Sequence, residues 1–155
     1  MNLGTLAQIA EILGGISFVV AVIFGIVQVR QFRRQRSDIA AVELMRSIQD
    51  TEFTRSLRLL YTLPLTIQAS DLRARGAEYE DAAFTISTKF ETIGLLVFRE
   101  NIPFPIVDEL IGGTVVNLWR RLQPWVEEVR AKQEQKKFME WFEWLAGRLL
   151  GREAA

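Results

Sequence analysis

The sequence contains no cysteine and no histidine. Their absence excludes disulfide staples, thiolate nucleophiles, and zinc sites built from thiolate or imidazole. Ser-His-Asp catalysis and imidazole acid–base chemistry are excluded with them. Carboxylates, lysines and hydroxyls remain, and no catalytic residue, cofactor site or metal site is expected from them. A charge excess is missing too, since 19 Lys and Arg balance 19 Asp and Glu. A nucleic-acid-binding domain usually carries a large basic surplus, so no nucleic-acid partner is expected. No stretch alternates with period two, which predicts an all-α fold without a sheet.

What the chain does have is one long apolar run. From Ile12 to Val29 there is no charged residue, and only Ser17 and Gln28 carry polar side chains. With Leu6 and Ile9 upstream, the run reaches the ~20 residues needed to cross ~30 Å of hydrocarbon. The segment before it, "MNLGTLAQIAE", holds no Lys or Arg, whereas Arg30, Arg33, Arg34 and Arg36 follow it. A cleavable signal peptide has the reverse order, with its cations first. The expectation is therefore an uncleaved signal anchor in a bacterial inner membrane, N-terminus outside and the rest of the chain cytoplasmic. The four arginines are the candidate contacts to lipid headgroups.

On a helical wheel, large apolar side chains fill one broad side of this segment. The opposite arc collects Gly14, Ser17, Ala21, Gly25 and Gln28, with Glu11 at its outer end. Small residues let two helix backbones approach closely, so this arc is the expected helix–helix interface, and the chain itself is the expected partner. About 20 residues of rise from Arg30 put Glu11 near the outer headgroups, where an acid is inexpensive. The alternative reading is an oligomeric ion channel lined by the Ser17/Gln28 face, with Glu11 at the pore mouth.

Downstream, helical periodicity divides the chain into a membrane segment (1–30), a basic juxtamembrane stalk helix (31–50) and a cytoplasmic helical domain (51–155). In the stalk, Ala41, Leu44, Met45 and Ile48 share one face. A helix beginning near Asp50 or Thr51 turns Phe53, Leu57, Leu60 and Tyr61 inward and stops at Pro64. Residues 64–79 read as a polar connection. An apolar helix then ends near Asn101, and another opens at Pro105, with Val115, Trp119, Leu122 and Val126 inward and a kink at Pro124. In that helix Gly112-Gly113 is either a weak point or a close backbone contact. The last helix is expected from about Gln133 to Leu150, burying Phe138, Trp141, Phe142, Leu145 and Leu149.

The stretches "FETIGLLVFRENIPFPIVDELIGGTVVNLWRRLQPWVEEVR" and "FMEWFEWLA" resemble an uncharacterised bacterial family with a single N-terminal span and a small helical domain of unknown function. The resemblance implies that architecture and a membrane location, and carries no activity with it.

Among the carboxylates, Glu91 stands out. It shares a wheel face with Phe84, Ser87, Leu95 and Phe98, which makes it a candidate buried acid paired with a cation such as Arg120 or Arg121. Neighbouring acids such as Glu127 and Glu128 diverge by 100° on a helix and form no dyad. Glu78, Glu80 and Asp81 lack the fixed ligand spacing of a cation site. The mixture of cations with Trp141 and Trp144 in "KKFMEWFEWLAGRLLGR" is that of an interfacial membrane helix, but most of its apolar residues equally fit core packing, with Trp144 turned towards a further contact to lipid or a neighbouring subunit.

Overall fold

A computed structural model describes residues 3–65 and 67–153; the side chains of 3, 5–13, 33, 34, 36–38 and 153 fall outside the description. The described residues form six helices and no strand: α1 (Leu3–Ile48), α2 (Thr51–Tyr61), α3 (Ala69–Ala74), α4 (Ala77–Phe98), α5 (Phe104–Gln133) and α6 (Glu140–Glu153). By their contacts they divide into two units, 1–39 and 40–155.

The first unit is most of α1. Its stretch Gly14–Phe32 is long and apolar enough to cross a membrane, and none of it is buried inside the protein. Such a Val- and Ile-rich helix satisfies its backbone groups internally, the condition for stability in an apolar medium. α1 continues unbroken to Ile48, and its last turns belong to the second unit, where Leu44 is buried. Met45, expected on the same face, is exposed.

The second unit is built around an aromatic row. Phe53 of α2 meets Phe90 of α4 at 6.0 Å between ring centroids, Phe90 meets Phe142 of α6 at 5.1 Å, and Phe142 meets Trp119 of α5 at 5.0 Å. Four helices thus share one core, and Val115, Leu122, Val126, Leu145 and Leu149 fill it from α5 and α6. The inward faces of α2, α5 and α6 follow the 3.6-residue period. Tyr61 is the exception on α2: it is exposed, with the Arg121 guanidinium 5.6 Å from its ring centroid.

Two boundaries differ from the sequence reading. The connection 64–79 contains a short helix, α3, because Ile67, Ala69 and Leu72 are buried and hold its six residues against the core. α5 runs through Pro124 to Gln133, in keeping with the placing of Val126 on the same helix. Residues 134–139 then form a turn with Glu134 and Met139 left-handed (φ 55° and 56°), so α6 starts at Glu140 and not near Gln133. The end of α4 is close to the expected place. Glu100 is left-handed there (φ 58°), and the Asn101 and Ile102 N–H groups donate to the Leu96 carbonyl.

Two glycines are dictated by close approach. Gly76 precedes α4 at φ 126°, and a side chain there would meet the Glu78 carboxylate. Gly94 lies under α6, where a Cβ would overlap the Trp141 carbonyl. The pair expected in α5 splits: a Cβ on Gly112 would lie 3.3 Å from Leu149 Cδ2 and 2.9 Å from Asp108 Oδ1, whereas Gly113 faces open space.

Candidate functional site

The residues with candidate roles fall into four groups. On α1, Gly14, Ser17, Ala21, Gly25 and Gln28 are all exposed within the chain. A Cβ on Gly14 or Gly25 would meet nothing within 4 Å. Around Gly25 the missing side chain leaves a shallow hollow bounded by Val22, Ile26, Val29 and Arg30. The backbone at Glu11, Arg33, Arg34 and Arg36 is helical, but their side chains lie outside the described residues; Arg30 is exposed.

Glu91 is half-buried between α4 and α6. Its Oε2 accepts the Phe142 backbone N–H at 2.8 Å, one of the first N–H groups of α6, which have no partner within their own helix. The sequence reading sought a guanidinium partner on α5. The hydrogen bond goes instead to the backbone of α6, and Arg121 donates to Asn117 Oδ1 at 2.9 Å. Burial pushes the Glu91 carboxyl above the ordinary carboxylate range, the Phe142 and Trp141 backbone donors pull it down, Glu140 raises it and Arg130 lowers it.

A charged cluster joins α3, α4 and α5. Arg73 donates to Glu80 Oε1 at 3.1 Å and to Glu128 Oε1 at 2.6 Å. Lys132 also approaches Glu128, at 2.5 Å, and the Trp125 indole N–H donates to Glu80 at 3.2 Å. Hydrogen bonds from Lys132 and Arg73 hold the Glu128 carboxyl below its usual range. Glu80 is thereby turned away from Glu78 and Asp81, which line a groove of about 180 Å³ between α2 and α4 together with Glu52 and Arg55. Among the described residues no group of three or more acids is arranged to hold a metal ion. Between Glu128 and Lys132 on α5, Arg130 donates to the Phe138 carbonyl at 2.8 Å and to Glu143 at 2.7 Å, fastening the 134–139 turn. Arg152 and Asp108 (2.5 Å) tie the last turn of α6 to the first turns of α5.

The fourth group was only half visible in the sequence. Phe98, at the end of α4, lies with its ring centroid 4.5 Å from Trp141 and 5.5 Å from Trp144, and the two indoles are 6.2 Å apart. The Arg148 guanidinium lies 5.3 Å from the Trp144 ring centroid and 4.5 Å from that of Phe104. The helical spacing puts Trp141 on the core-facing side of the last helix and Trp144 towards its polar side. Phe98 and Phe104 join them only through the folding back of α6.

No curated protein and no solved structure matches the chain. Residues 15–149 match the family model described as domain of unknown function DUF4760, which takes in most of the apolar helix as well as the helical unit after it. This chain belongs to that family.

Proposed function

We propose that this chain is a single-span bacterial inner-membrane protein that assembles with itself, its N-terminus outside and residues 40–155 forming a cytoplasmic helical module. The carrying observation is that the apolar stretch Gly14–Phe32 has no cover within the chain. Eleven large apolar side chains from Ile16 to Phe32 are exposed, and at about 1.5 kcal/mol or more each, leaving them in water is prohibitive. Hydrocarbon removes that cost, and Arg30 with the arginines after it favours the cytoplasmic side for the chain beyond. Self-assembly through Gly14, Ser17, Ala21, Gly25 and Gln28 is supported by the open space over Gly14 and Gly25, which a second backbone can approach closely. The role that follows is an interaction or assembly module rather than an enzyme.

Because the chain has no cysteine, single cysteines report cleanly. In intact cells, Thr5→Cys should react with a membrane-impermeant maleimide and Lys137→Cys should not; the opposite pattern overturns the orientation. Oxidative cross-linking should be efficient at Gly14→Cys, Ala21→Cys and Gly25→Cys and poor at Val19→Cys and Ile23→Cys. A flat profile overturns the interface.

A further inference from the structure

We propose that the surface made by Phe98, Trp141, Trp144 and Arg148 docks into the headgroup region of the bilayer. This rests on the reading of α1 as a membrane anchor.

The four tryptophans of the chain divide into two kinds. Trp119 and Trp125 are buried, and the Trp125 indole N–H is bonded to Glu80. Trp141 and Trp144 are half-buried, and among the described residues neither indole N–H has a hydrogen-bond partner. An indole with an apolar body and a free N–H suits the level of lipid carbonyls and headgroups, where one end is dry and the other wet. Phe98 extends the ring surface with 53 % of its area exposed. The exposed Arg148 guanidinium lies over the Trp144 and Phe104 rings, from where its N–H edge can reach a phosphate.

Area decides between a lipid surface and a protein partner. A stable protein interface needs ~800 Å² from each side. Each aromatic side chain buries at most ~150–250 Å², and Trp141, Trp144 and Phe104 have already lost part of theirs to the fold. The patch is too small to hold a free partner. A bilayer to which the chain is already tethered acts at high effective concentration and needs no such area. Charge is not the driving term, because Arg148 is the one cation among the four residues of the surface, so docking should persist on zwitterionic lipid and in high salt.

All four tryptophans lie between 119 and 144, so intrinsic emission reports on the helical unit alone. The full chain would be placed in phosphatidylcholine nanodiscs with and without lipid brominated near the headgroup. The parent is expected to lose up to about half of its emission, from two of its four tryptophans. Trp141→Phe/Trp144→Phe, which keeps the buried pair, should lose almost none, and Phe98→Ser should lie between. Equal quenching of the parent and the double variant, or quenching that disappears in 1 M salt, overturns the proposal. If the chain floats with carbonate-washed liposomes but the parent is not quenched, the docking surface falls and the anchor stands. A chain that fails to float removes both.

Discussion

The Glu91 carboxylate of α4 receives the Phe142 backbone N–H of α6 at 2.8 Å, across 51 positions of sequence. The α6 N-terminus is thus capped from another helix, and no Ser, Thr, Asp or Asn occurs among residues 134–139 to do so locally. Glu91→Ala leaves buried donors unpaired and should cost about 0.5–2 kcal/mol, read as a lower urea midpoint for the full chain in detergent.

The same residue sets a pH dependence. Burial, the largest influence, raises the Glu91 pKa in the folded chain. A folded acid that holds its proton more tightly than the unfolded chain makes its ionisation unfavourable to folding. Its contribution to stability therefore improves as pH falls through the folded value, down to the unfolded value of ~4.3. Glu91→Gln keeps an acceptor oxygen without the charge. It should be at least as stable as the parent at pH 8, with the difference closing towards pH 4. Parallel stability curves for the two proteins would contradict this.

Two glycine replacements should act in opposite directions. Gly94→Ala drives a methyl group into the Trp141 carbonyl and should cost about 1–3 kcal/mol. Gly113→Ala adds a methyl to open space inside α5 and should add about 0.5–1 kcal/mol by lowering the freedom of the unfolded chain. Thermal midpoints measure both.

Ser87 is fully buried on α4, and its hydroxyl finds no hydrogen-bond partner among the described residues. Replacing it with Ala removes an unsatisfied polar group at nearly constant shape, and should stabilise the chain by roughly 1 kcal/mol. A loss of similar size in denaturant melts would mean that the hydroxyl is bonded.

Glu100 and Glu134 end α4 and α5 in left-handed conformations. A side chain there costs about 1 kcal/mol, which glycine avoids. Glu100→Gly and Glu134→Gly should each raise the thermal midpoint, and together nearly additively, since they end different helices.

How much of this was legible depends on the range of the interactions. The apolar run needs only composition, and the bounds of α2 follow from Asp50, Pro64 and the spacing of Phe53, Leu57 and Leu60. α3 was missed because six residues have no helical stability of their own, and Leu72 and Ala69 form a turn only against the core. The start of α6 was misjudged because its determinants, Glu91 and the Arg130 bond to the Phe138 carbonyl, come from other helices. A helical wheel marked Glu91 as inward-facing but carries no information on which neighbour it meets. The aromatic surface needed the fold to bring Phe98 to Trp141.

The central claim, a membrane helix that recognises its own copy, is tested most directly by the mass of the assembly in lipid nanodiscs. Native mass spectrometry of the parent should give a defined multiple of the 17.8 kDa chain, and Ala21→Leu/Gly25→Leu should shift it to the single chain. A parent that is monomeric in lipid, or a double variant that assembles unchanged, would contradict the account.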